Sequence, residues 1–145
     1  MLFLAQSKYI QDLLACFHLT KPKLVCTPLP SRTTLSLMDG DLLSDPTEYR
    51  STVGALQYLT MTRPDIAYAV NLISQFMHTP RTAHLLAVQR IFRYLQGTID
   101  HGLVLKQTDN LNLVVAYSDV DWASCPDSSR STIGYAVFLG PNLVC

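Results

Sequence analysis

Two aspartates, Asp119 and Asp121, close an apolar run in the stretch AYSDVDWASCPDSSRSTIGYAVFLG, residues 116–140. A carboxylate at a strand end suits magnesium, because that hard cation prefers oxygen ligands and a rigid backbone holds the ligand in place. Two-metal hydrolysis of a phosphodiester asks for more, namely several acidic ligands around ions about 3.5–4 Å apart. After Asp121 the only acid is Asp127, which falls in the polar turn. Read by themselves, these residues fit half of a metal site and the acidic edge of a β-hairpin equally well.

Other chemistry-bearing residues are sparser. Arg90 and Arg93 lie three apart, so on a helix they share a face that would meet successive phosphates through backbone contacts. An ordinary solvated face has the same spacing. Gln57, Tyr58 and Arg63 are further groups able to approach nucleic acid. His18, His78, His84 and His101 have no partners at ligand or catalytic spacing, which points to surface or capping roles. Cys16, Cys26, Cys125 and Cys145 form neither a C-x-x-C pair nor a Cys/His cluster, so neither a zinc site nor a disulfide framework is expected.

Charge narrows the function classes. Eleven basic and eleven acidic residues cancel, which is unlike an autonomous nucleic-acid-binding domain. Nine of the basic residues precede His101, against seven acids, so any such binding is local and lies in that part of the chain. The start MLFLAQSKYI is too short an apolar run for a signal peptide or a membrane span and lacks transit-peptide character. An intracellular setting with reduced thiols is expected.

The elements that must position these residues follow from periodicity. With 145 residues, 48% of them hydrophobic, the chain has material for one core or two small ones. Ser7 is placed to cap a helix with Ile10, Leu13, Leu14 and Phe17 on one face, ending near His18. A connector with three prolines follows, its linker part spanning 31–44. Asp45 at the N-cap, Pro46 at the first helical position and Glu48 as a capping-box partner start a helix lined by Tyr49, Val53, Leu56 and Leu59. Pro64 starts another, with Asp65 near its positive end and a stripe of Ile66, Ala69, Val70, Ile73, Phe76 and Met77. A third runs from Thr82 to Gln96 with Leu85, Val88, Phe92 and Leu95 inward, and Gly97 is placed to end it in a left-handed conformation. These helices should pack as a bundle, with their apolar stripes as core rather than cofactor site.

After Gly97 the period shortens. GLVLK, LNLVVAYSD and STIGYAVFLG are β-branched and aromatic runs between turn formers. In the second, apolar residues on both faces predict a strand buried on both sides, with Asp119 at its end. The expected fold class is α+β: a helical bundle followed by the first antiparallel strands of a sheet.

The string YRSTVGALQYLTMTRPDIAYAVNLISQFMHTPRTAHLLAVQRIFRYLQGTIDHGLVL, with AYSDVDWASCPDSSRSTIGYAVFLGPNLV after it and LFLAQSKYIQDLLACFHL…TPLP before it, resembles the C-terminal part of copia-type retrotransposon Pol polyproteins. The resemblance covers essentially the whole chain in collinear order. It implies the end of a reverse transcriptase palm and the start of a thumb-like region over 1–30, a helical thumb or connection region over 45–100, and the first strands of a truncated ribonuclease H-like domain over 101–145. By the same resemblance Asp119 matches the first catalytic aspartate of ribonuclease H, a magnesium ligand, and Ser131, Thr132, Gly134 and Tyr135 match the ST-x-GY pattern of the second strand. Asp121 is matched but is not in the family's catalytic set. The partners implied are an RNA–DNA hybrid or DNA.

The family's polymerase aspartates would lie upstream of Met1 and its remaining ribonuclease H ligands beyond Cys145. The favoured expectation is therefore a polyprotein fragment without autonomous catalysis. The alternatives are a nucleic-acid-binding module that keeps thumb-like contacts through Arg90 and Arg93, and a ribonuclease H component completed by additional sequence or another chain.

Overall fold

Apolar spacing decides where this chain is helical. In the computed structural model, which describes residues 1–17, 23–109 and 113–145, the order is β1 (Leu2–Leu4), α1 (Ser7–Cys16), α2 (Thr47–Leu59), a 3₁₀ turn (Pro64–Ile66), α3 (Ala67–Ser74), α4 (Thr82–Gly97), β2 (Leu103–Leu105), β3 (Val114–Asp121), β4 (Thr132–Leu139) and β5 (Asn142–Leu143). The fold is α+β, with the described strands in two small antiparallel sheets, β1-β2 and β3-β4-β5. The expected end of the first helix near His18, and Leu111 in the second strand run, lie outside the described residues. The chain divides into two units, Ala5–Gly102, and Met1–Leu4 with Leu103–Cys145.

The Ala5–Gly102 unit holds the core. The stripes read from the sequence are buried where expected: Tyr49, Val53, Leu56 and Leu59 on α2, then Ile66, Ala69, Val70, Ile73 and Phe76 along the turn and α3. On α4, Val88, Phe92 and Leu95 point inward, but Ile91 and Ala87 join them while Leu85 is only partly covered. Phe17 stacks on Phe92 at 4.8 Å, tying the end of α1 to α4. Tyr49 places its polar end at a partner, donating to the Ile73 carbonyl at 2.7 Å, as a buried phenol must. Burial pushes that hydroxyl far above the ordinary phenol range.

Helix ends differ in detail from the sequence reading. Ser7 is the first residue of α1 rather than its cap, and its hydroxyl donates to the Ile99 carbonyl at 3.1 Å. Asp45 does accept the Thr47 N–H, at 2.9 Å, while Glu48 adds charge to the first turn without closing a capping box. Gly97 is the last helical residue and is not left-handed. Thr98 ends α4 instead: its N–H returns to the Leu95 carbonyl and its hydroxyl to that of Tyr94. The buried Arg63 guanidinium then donates to the Thr98 carbonyl at 2.9 Å. A cation at a helix C-terminus satisfies the carbonyls that a left-handed glycine would otherwise address.

The Asp45 cap is testable by pH. Hydrogen bonds from Thr47, backbone first, hold its carboxyl below the ordinary carboxylate range. A depressed folded value contributes stability above the unfolded value and loses it as pH falls through the folded one. The stability difference between the wild type and Asp45→Ala should therefore be present at neutral pH and shrink steadily on acidification below pH ~4, read by urea unfolding at each pH. A difference independent of pH would mean that the carboxylate charge does not act at this cap.

The stretch read as a linker over 31–44 has no helix, but it is held in place. Leu35 is buried, as is Leu29 before it. The Ser36 carbonyl lies 2.9 Å from His84 Nε2, Thr82 N–H donates to the Asp41 carbonyl at 2.9 Å, and Leu43 N–H donates to that of Pro80 at 3.1 Å.

In the other unit, β3 pairs antiparallel with β4 from Val114↔Leu139 to Asp121↔Thr132. The expectation of burial on both faces fails here. Val114 is 63% exposed, Tyr117 64%, Ile133 67% and Tyr135 65%. No described helix belongs to this unit, and a strand is buried on both sides only when a layer covers each face. Asn142 links the two sheets: its side chain accepts the Lys106 N–H at 2.6 Å and donates to the Lys106 carbonyl at 2.9 Å, as a neighbouring strand's peptide would.

Candidate functional site

Strand period places the two aspartates together. Asp119 stands opposite Gly134 and Asp121 opposite Thr132, so both carboxylates project from one face of β3, about 7 Å apart along the strand. Both are exposed. β3 runs on to Asp121, so Asp119 lies two residues inside the strand rather than at its end. Its Oδ1 accepts the Val120 N–H at 2.9 Å, and the space beside it is open, since a Cβ at Gly134 would meet nothing within 4 Å. The pairing continues into a turn with positive φ at Ala123 and Ser129, and Trp122 at its start is 84% exposed.

Magnesium chemistry needs more donors than this. Among the described residues no group of three or more His, Cys, Asp or Glu is placed to hold a metal ion. Asp119 and Asp121 offer two carboxylates on a flat open face. They do not enclose a cation, and no catalytic step is assigned through one.

Arg90 and Arg93 lie one turn apart on α4, both half-buried. Arg90 donates to the Thr27 hydroxyl at 3.1 Å. The Nε of each is shielded from solvent and has no acceptor among the described residues. Gln57 and Tyr58 are exposed on α2, with Tyr58 packed edge-on against Tyr9 at 5.4 Å.

Arg63 is unavailable to nucleic acid, because it is 1% exposed. It forms a bidentate pair with Asp65, Nε to Oδ1 at 2.9 Å and Nη2 to Oδ2 at 2.7 Å, and also donates to the Thr98 carbonyl and hydroxyl. Tyr94 donates to Asp65 Oδ2 at 2.8 Å, and its ring lies 5.7 Å from the guanidinium. Burial raises the Asp65 carboxyl, but the hydrogen bonds from Arg63 and Tyr94 outweigh it and hold the group below the ordinary range. Burial, then the Asp65 contact, pushes the Tyr94 hydroxyl up.

Comparison with known proteins now decides the family. The chain is 55% identical over 139 residues to the retrovirus-related Pol polyprotein from transposon RE1 of Arabidopsis thaliana, covering 96% of this chain and 9% of that polyprotein. The corresponding protein from transposon RE2 of the same plant is 51% identical over 96% of this chain and 10% of its own length. The chain belongs to the copia-type retrotransposon Pol family. An uncharacterised mitochondrial protein of Arabidopsis thaliana is 46% identical over 99% of this chain and 59% of its own length. No family model and no solved structure matches the chain.

This copia-type Pol chain thus spans about a tenth of the two transposon polyproteins it matches. Two of its features are absent from the sequence reading. The Arg63 network was signalled only by an arginine two residues before an aspartate in TRPD, a spacing that says nothing of burial. Cys125 was read as a bland thiol, yet Ser128 donates its hydroxyl to the sulfur at 3.2 Å. That bond and the Ser128 and Asp127 backbone hold the thiol below its ordinary value. His84 does cap, accepting the Arg81 N–H on Nδ1 at 3.0 Å, but it does so fully buried against the Phe76 ring at 3.9 Å. With Nδ1 accepting, Nε2 carries the proton donated to Ser36. His78 and His101 are exposed, and His18 lies outside the described residues. The four cysteines are free. Among the described residues no helix is long and apolar enough to cross a membrane.

Proposed function

We propose that this chain is the joint of a copia-type Pol polyprotein between reverse transcriptase and ribonuclease H, and that it has no catalysis of its own. In this reading residues 1–30 end the palm and start the thumb-like region, 31–44 connect, 45–100 form the helical thumb or connection region, and 101–145 supply the first ribonuclease H strands. Asp119 is the inherited first magnesium ligand. The carrying observation is the donor set at that residue: β3 presents Asp119 and Asp121 on an open face, and among the described residues no third ligand is placed with them. Hydrolysis of an RNA strand through two metals needs more.

A second reading, a module that contacts duplex phosphates, has its own support in Arg90 and Arg93. Their guanidinium groups sit one turn apart with Nε donors lacking acceptors among the described residues, and phosphate oxygens are the acceptors such forks match best.

The purified chain should leave an RNA–DNA hybrid intact in magnesium, at the same background as Asp119→Asn. Magnesium-dependent cleavage that disappears in Asp119→Asn would establish a working ribonuclease H site and overturn the first reading.

A further inference from the structure

The course of residues 24–43 sets a condition on phosphate contact at α4. Leu24 Cδ2 lies 3.7 Å from where a Cβ at Gly97 would stand. Three residues on, the Thr27 hydroxyl takes a hydrogen bond from Arg90. From Gly97 back to Arg90 is about 10 Å of helix at 1.5 Å per residue, and three extended residues span about the same length. The segment therefore runs antiparallel to α4. It keeps that direction, with Ser36 at His84, Asp41 at Thr82 and Leu43 at Pro80. Its later part is anchored by Leu29, Leu35 and these bonds, whereas Leu24, 60% exposed, and the exposed Thr27 only lie on the surface.

We infer that residues 24–27 are a displaceable strap that masks the Arg90 and Arg93 face of α4 from the phosphates of a nucleic-acid duplex. The inference rests on the duplex-contact reading above. The strap offers Arg90 one neutral hydroxyl where a phosphate would offer paired anionic oxygens. It also shields the two Nε donors without supplying an acceptor. A duplex on this face exchanges a weak internal partner for a strong external one, and its affinity is reduced by the fraction of time the strap is closed.

The test is fluorescence anisotropy of a labelled RNA–DNA hybrid titrated with the full chain across a salt series. Leu24→Ala/Thr27→Ala, which removes nothing from the core, should bind several-fold more tightly than wild type. Its plot of log affinity against log salt should steepen by about 0.9 for each arginine released to a phosphate. Adding Arg90→Gln/Arg93→Gln should abolish both gains. If Arg90→Gln/Arg93→Gln weakens wild-type binding but the strap variant matches wild type in affinity and slope, the masking is wrong and duplex contact stands. A gain that survives the arginine substitutions also overturns the masking. Absence of binding by every variant at low salt removes the duplex reading and the strap inference together.

Discussion

Asp65→Ala is expected to destabilise the helical unit by about 3 kcal/mol, the lower end of what removing one partner of a buried ion pair costs. The lower end applies because Asp65 is 34% exposed while Arg63 is 1% exposed. The loss strands a charge beneath the surface, with only neutral Thr98 oxygens left to accept from it. Arg63 joins the 3₁₀ turn to the end of α4, so the change should loosen two helix ends together. Tyr94→Phe alone should cost about 1 kcal/mol, one hydrogen bond. Added to Asp65→Ala it should cost almost nothing, since its acceptor is already gone. Urea unfolding of the four proteins in that cycle measures the coupling directly. Additive losses would mean that the three side chains do not act as a unit.

Gly40→Ala and Gly54→Ala should have opposite signs. Gly40 has φ +76°, where a side chain costs about 1–2 kcal/mol. A Cβ there would also collide with Thr82 Oγ1 and stand 3.2 Å from Ala83 N. The substitution therefore forces the chain away from the start of α4, where Asp41 N–H, Thr82 N–H and Arg81 all bond across the same gap. A loss of about 3 kcal/mol is expected, adding overpacking to backbone strain. Gly54 lies inside α2 with nothing within 4 Å of its absent Cβ, so alanine should stabilise by about 0.5–1 kcal/mol through helix propensity alone. Thermal or urea unfolding of both variants decides the pair. A neutral Gly40→Ala would show that the strap is not tied to α4 as described.

What could be read from the sequence was what period and capping chemistry control. The α2 and α3 stripes and the Asp45 cap depend on neighbours three or four residues away, and they are found where spacing put them. Gly97 misled because the partner that ends α4, Arg63, is more than thirty residues distant. The same distance hid the burial of Arg63, which only a tertiary carboxylate makes tolerable. β3 misled for a different reason. Alternating apolar side chains report a strand suited to burial, but whether a layer covers it depends on elements that the strand's own residues do not encode. For Asp119, pattern alone placed the carboxylate near a strand end beside Asp121, while family resemblance supplied the role of metal ligand.

The central claim is that a self-sufficient helical core carries a strand unit bare on both faces, unable to complete a catalytic site. Native-state hydrogen exchange resolved by residue tests it most directly, because exchange protection reports the local free energy of opening. Amides of α2 and α4 should be protected close to the global unfolding limit, and those of β3 and β4 should exchange much faster. Equal and strong protection in β3, β4 and the helices would contradict the account.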